Sequence, residues 1–229
     1  MKWPMGLKEA QKIQQRLRKK VKIVPLRKES GYIAGVDAGF LDDMVIGVAC
    51  LYKYPELIPV EDSYAITKVS FPYIPGFLSF REGLALIKAI TKLKIRPDVL
   101  LFDGQGIAHP QGLGIASHIG VLLDIPSVGC AKSRLVGDYI PPGTKRGQWS
   151  PLYYGGRVVS AVLRTRDNTR PLFVSTGHKI DLKGSIEVIL KSTTKYRLPE
   201  PLRKADYLSR KLKRGLALSS RFHQITFYA

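Results

Sequence analysis

Four carboxylates stand where a purely structural role is only half an explanation. Asp103 closes the apolar run of "VLLFDGQGIAHP" (99–110) and is followed by Gly104, Gly106 and His109. Asp37 ends a similar run in "YIAGVDAGF" (32–40), Glu82 lies in "SFREG" (79–83) and Asp206 in "RKAD" (203–206). If the strands carrying Asp37 and Asp103 are parallel neighbours, the two tips stand ~4.8 Å apart. Carboxylates that close repel unless one is protonated or a cation lies between them. Oxygen donors with room for water suit Mg²⁺, with Mn²⁺ as a substitute. Beside a polyanion, such a cluster is equipped for phosphodiester hydrolysis: cations screen the acids from the phosphate, activate water and steady the leaving oxygen.

Each acid also has a plainer account. Asp37 and Asp103 could accept backbone N–H bonds in Asx-turns. Ser79 and Glu82 fit a capping box, although positions 82, 86 and 90 share one helical face, which aims the carboxylate at the mouth of a site. Asp206 could pair with Arg210, four residues on. Gly104 and Gly106 leave backbone groups open to a ligand edge, or serve turns that need positive φ.

The elements that must position these groups follow from periodicity. A basic amphipathic helix is expected over 7–22. An antiparallel meander follows at 32–40, 44–54 and 62–70. A loop with proline and aromatics then enters a helix near Ser79 that runs over 80–93 and buries Leu86, Ile90 and Leu93. The continuous apolar run 97–103 reads as a buried parallel strand, 112–124 as a helix and 125–131 as another strand. Residues 137–155 read as irregular, 156–165 and 171–176 as a strand pair, and 184–194 and 200–214 as helices. The order predicts a single α/β domain over 1–229, a mixed sheet flanked by helices.

The charge is polarised. Of the formal +19, residues 1–28 carry ten Lys/Arg against one acid, and residues 183–229 carry eleven against three. Basic ends around an acidic middle point to a polyanion partner, most simply nucleic acid, although a basic surface also serves solubility. Cys50 and Cys130 sit inside apolar segments and lack metal-type spacing, so they read as buried hydrophobes in a reducing compartment. No signal-type apolar region opens the chain, and no run approaches the ~20 apolar residues of a membrane span. The expected protein is cytoplasmic.

Strand–Asp37, helix–Glu82, strand–Asp103 and late-helix–Asp206 together resemble the order of a ribonuclease-H-like nuclease. "GVDAGF" (35–40), "PYIPGFLSFREG" (72–83), "FDGQGIAHPQGLGIASH" (102–118), "SVGCAKSRLVG" (127–137), "STGHKI" (175–180) and "YRLPEPLRKAD" (196–206) resemble, in this order, the blocks of the endonuclease V family. That resemblance implies a Mg²⁺-dependent endonuclease that recognises inosine in DNA or RNA and hydrolyses the second phosphodiester bond on its 3′ side. It implies metal binding by Asp37, Glu82 and Asp103, with Asp206 at a fourth, variable position. Tyr73, Ile74 and Pro75 match the family's wedge, Lys132 a lysine near the scissile phosphate, and His109 a histidine close to the site. A proline-flanked Tyr-Ile is stiff and apolar, which suits filling the gap of an extruded base, or anchoring a loop. Gly76, Gly104 and Gly106 would border the base, and His178 is a candidate phosphate contact. Two other readings remain: a ribonuclease-H-like nuclease of different specificity, and a non-catalytic basic binder of nucleic acid. A monomer is the expected state.

Overall fold

The computed structural model describes residues 3–26 and 31–225, with side chains up to 218. Its elements run α1 (Leu7–Arg18), β1 (Tyr32–Leu41), β2 (Met44–Lys53), β3 (Ile58–Lys68), α2 (Leu78–Thr91), β4 (Val99–Phe102), α3 (Ile115–Leu123), β5 (Ser127–Ala131), β6 (Trp149–Tyr154), β7 (Arg157–Leu163), β8 (Leu172–His178), α4 (Leu182–Lys191) and α5 (Glu200–Ile225). The strands form one 8-stranded sheet in the order β3-β2-β1-β4-β5-β8-β7-β6. β4 lies parallel to β1 and to β5, and the other pairings are antiparallel.

Alternation along β4 divides the core. Val99 and Leu101 pack with Val188 and Ile189 of α4 and with Leu202 and Ala205 of α5. Leu100 and Phe102 pack with Leu86 and Ile90 of α2 and with Ala116 and Ile119 of α3. All four β4 residues are buried because helices cover both faces, which is why the run reads as continuously apolar. α1 sets Ala10 against Phe71, Phe77 and Phe80, an aromatic cluster behind the loop that enters α2.

The expected meander, the parallel strand and the flanking helices are all present, with shifted ends. α1 stops at Arg18, β3 begins earlier than expected, and α5 runs well past residue 214. The segment expected to be irregular contains β6, the last strand of the sheet, paired with β7 along one rim and bridged at Tyr153 to Asp138 on the other. The Gly and Pro content of the segment reads as a loop, but a terminal strand has one rim outside the regular ladder and tolerates proline, here Pro151. Cys50 and Cys130 are free and buried, and among the described residues no helix is long and apolar enough to cross a membrane. The last four residues of the expected basic tail lie outside the described residues.

Candidate active site

The register places Asp37 and Asp103 together. β1 and β4 pair up to Val36 and Phe102, so the next residue on each chain is an aspartate. The Asp103 amide donates to the Val36 carbonyl at 3.4 Å. Asp37, however, does not end its strand. β1 runs on to Leu41, paired with β2, while β4 stops at Phe102. The aspartates thus sit where the sheet splits, at the C-terminal end of parallel strands, the general location of sites in α/β sheets.

Glu82 reaches the same place from the α2 layer. Ser79 does not cap this helix: α2 begins at Leu78 with Phe77 as N-cap, and Ser79 Oγ instead bonds Nδ1 of buried His118 at 2.8 Å. With Glu82 five residues into the helix, a capping bond is no longer available, and its half-buried carboxyl faces the two aspartates. Burial, then the charges of Asp37 and Asp103, push Glu82 up to about 8. Asp37 is raised to about 6, again by burial first, with Asp103 and Asp206 adding to it and bonds from Ser209 and the Ala38 backbone opposing it.

The α5 layer supplies the fourth acid and a cation comes from the end of β5. Lys132 Nζ bonds Asp103 Oδ2 and stands 3.7 Å from Asp206 Oδ1, while Arg210 holds the same Asp206 oxygen at 2.8 Å. Asp206 therefore is the helical partner of Arg210 and a member of the cluster. Burial works against a charged Lys132, but its bond to Asp103 and the charges of Asp103, Asp206 and Asp37 hold its pKa above the ordinary value. Among the described residues no three His, Cys, Asp or Glu side chains are arranged as a formed metal site. The donor chemistry nonetheless fits a hard divalent cation: the candidate donors are carboxylate oxygens, and the half-buried Asp37 and Glu82 oppose each other's ionisation.

Directly before the helix that carries Glu82 the chain makes an exposed turn. The Phe77 amide bonds the Ile74 carbonyl at 2.9 Å, with Pro75 and Gly76 (φ +81) between them, the pattern of a type II turn. Tyr73 is 69% exposed, whereas Ile74 is half-buried against the aromatic cluster. The two residues divide the expected roles, one projecting and one anchoring. His109 is buried, and burial lowers it to about 4 despite an opposing bond with the Gly76 backbone. It is neutral near pH 7, with Nδ1 accepting from the Gln111 amide at 3.2 Å. Its place is behind the turn.

The glycine loop corrects one expectation. Neither Gly104 nor Gly106 has positive φ, and what crowds them is the protein itself. A Cβ on Gly106 would lie 2.0 Å from the Thr176 carbonyl oxygen, and one on Gly104 2.7 Å from the Ile115 side chain. Gly106 is buried, its amide donating to Ser175 Oγ at 2.7 Å, so it seats the loop on β8 and offers no edge to a ligand. His178 is a second correction. It pairs with Ser127 at the start of β5, whereas Lys132 follows the far end of that strand. His178 Nε2 meets Asp124 at 3.3 Å and its Nδ1 accepts from the Lys22 amide, a junction remote from the carboxylates. Antiparallel pairing of β8 with β5 carries it away from the site.

Sequence reasoning missed Ser209 and Gln14. Ser209 Oγ donates to Asp37 Oδ2 at 2.8 Å, and Gln14 Nε2 to the Gly76 carbonyl at 3.0 Å. Helical spacing offered one signal, since Ser209 lies three residues beyond Asp206.

Comparison with known proteins converges on one family. A family model described as Endonuclease V matches residues 15–207. An endonuclease V of Dictyoglomus turgidum is 51% identical over 211 residues, 92% of this chain and 92% of that protein. The crystal structure of endonuclease V from Streptomyces avermitilis superposes with a TM-score of 0.90 at 37% identity, covering 94% of this chain and 96% of that one. The Ciona intestinalis endonuclease V, solved in complex with a 24mer DNA containing an inosine followed by a ribo-adenosine, gives a TM-score of 0.79 at 26% identity over 91% of this chain and 98% of that one. The shared fold is ribonuclease-H-like.

Proposed function

The chain belongs to the endonuclease V family and is an endonuclease; from that premise we propose that it recognises inosine in DNA or RNA and hydrolyses the second phosphodiester bond on the 3′ side. The observation that carries this reading is that Asp37 and Asp103, at the split between β1 and β4, are joined by one acid from each helix layer, Glu82 and Asp206, with the exposed Tyr73 turn leading into α2. Asp37, Asp103, Glu82 and Asp206 are the residues that would hold Mg²⁺, or Mn²⁺ in its place. When bound, the cation supplies an activated water and charge at the leaving oxygen.

The chain's own residues account for the rest. Lys132, which bonds Asp103 and stands near Asp206, would offer its ammonium to the scissile phosphate. Tyr73 enters the gap left when the base leaves the stack, with Ile74 tethering the turn and Pro75 stiffening it. Inosine presents an O6 acceptor and an N1–H donor where adenine presents the reverse, so backbone groups around Gly76 and Gly104 would tell them apart. The basic ends hold the polyanion by its phosphates. In this reading the protein is a cytoplasmic monomer that nicks DNA beside the products of adenine deamination to start their repair, or processes inosine in RNA.

The test is cleavage of end-labelled DNA and RNA oligonucleotides, each with a single inosine or an adenine control, in Mg²⁺ and in EDTA. A Mg²⁺-dependent nick one nucleotide beyond the inosine's own 3′ phosphate is expected. Cutting indifferent to inosine would leave a nuclease of other specificity, and binding without cutting a basic binding protein.

A further inference from the structure

Ser209 lies just past the segment that the family model matches, and α5 carries it onto Asp37. We propose that Ser209 is a positioning residue whose hydroxyl fixes the Asp37 carboxylate for the cation; this rests on the metal-binding reading of Asp37 given above.

Gly35, Asp37 and Gly39 alternate along β1 and so share the face beneath α5. A Cβ at Gly35 would fall 2.1 Å from the Pro201 carbonyl carbon, so the start of α5 rests directly on the strand backbone. A Cβ at Gly39 would meet Ser209 Cβ at 3.8 Å, an ordinary contact. Gly35 thus sets the height at which the helix passes. At that height Ser209, only 3% exposed, reaches Asp37 Oδ2 at 2.8 Å.

The same Oγ stands 3.0 Å from the Asp206 carbonyl oxygen. A hydroxyl has one proton to donate, so it serves one acceptor at a time. An ionised carboxylate is the stronger acceptor, and the backbone carbonyl is a resting place one small rotation away. The hydroxyl holds Oδ2, leaving the other oxygen to the cation, and adds no charge of its own to a crowded acidic site. Loss of the hydroxyl leaves a buried carboxylate with one fewer donor and free to turn.

The experiment compares Ser209→Ala, Ser209→Thr and Ser209→Cys in the full chain. Mn²⁺ binding is measured by titration calorimetry without nucleic acid. Mg²⁺ half-saturation and kcat are measured on the inosine substrate, and thermal melting reports folding. Ser209→Ala is expected to weaken Mn²⁺ binding and raise the Mg²⁺ half-saturation by roughly tenfold, the scale of one hydrogen bond to a charged group. Ser209→Thr, which keeps the hydroxyl, restores both. If the alanine variant does not fold, Ser209→Cys decides, because it fills the same space and donates only weakly; it should bind Mn²⁺ more weakly than wild type. Wild-type Mn²⁺ binding in a folded Ser209→Ala or Ser209→Cys protein overturns the proposal, as does absence of Mn²⁺ binding by the wild type. Absence of inosine-directed cutting alongside normal Mn²⁺ binding would instead strike the substrate reading, and calorimetry would still judge Ser209.

Discussion

Gln14 donates its side-chain amide to the Gly76 carbonyl at 3.0 Å, so the first helix of the chain holds the turn from which Tyr73 projects. The amide is buried, and its loss would leave the half-buried Gly76 carbonyl with His109 as its remaining partner. Gln14→Leu should keep the volume, cost about 1–2 kcal/mol of stability and loosen the turn. The expected result is a lower ratio of kcat/KM on inosine over adenine strands, with undiminished Mg²⁺ dependence. An unchanged ratio would show that the turn needs no support from α1.

Tyr73→Ala tests the projecting side chain itself. At 69% exposure it contributes little to the core, so unfolding free energy should stay within about 0.5 kcal/mol of wild type. Inosine discrimination should fall by roughly tenfold, the loss of one apolar wedge contact of about 1.4 kcal/mol. A large drop in melting temperature would make Tyr73 an anchor instead.

Asp37→Asn and Asp103→Asn should each reduce cleavage by ~10²–10³-fold or more, the scale of removing a group that organises transition-state charge. Binding of an inosine strand should persist or tighten, because one acid fewer faces the phosphates. Burial and the charges of Asp37 and Asp103 raise Glu82 to about 8, so removing either aspartate should also stabilise the protein in EDTA. Mg²⁺ should raise the melting temperature of wild type and leave that of the variants nearly unmoved. Equal loss of binding in both variants would count against the shared metal site.

His118 predicts the acid limb of stability. Its ring is fully buried, Nδ1 is bonded to Ser79 and Nε2 has no partner among the described residues. Burial lowers it to about 3, and lowers His109 to about 4. A histidine whose folded pKa lies below the unfolded value contributes stability that is complete above about 6.5 and is lost as pH falls towards the folded value. Each such group gives a slope of up to about 1.4 kcal/mol per pH unit. Raised Asp37 and Glu82 act oppositely, losing stability as pH rises, but equally in wild type and variant. His118→Asn, which can keep the bond to Ser79, should therefore lose less stability between pH 6.5 and 4.5 in denaturant titrations. An identical slope would show that His118 does not carry the effect.

Much of this molecule was legible in one dimension. The meander, the continuous apolar strand before Asp103 and the helix carrying Glu82 follow from side-chain period, because a face against a core imposes its repeat on neighbouring residues. Even the pairing of Asp37 with Asp103 follows once two parallel strands are aligned by their apolar runs, as Val36 and Phe102 are. The polarised charge and the ordered motifs added the family.

Tertiary structure alone decided what each motif residue touches. Gly106 reads as room for a ligand until Thr176 of β8 is found against it, and Ser79 reads as a cap until His118 claims its hydroxyl. His178 stands within a matching block, yet antiparallel pairing sends it to the wrong end of β5. Gln14 meets Gly76 across 62 residues and Ser209 meets Asp37 across 172. Local pattern records only that a residue faces inward. Which partner waits there depends on how helices dock on the sheet, and here that docking is set by close backbone approach, as at Gly35 beneath Pro201.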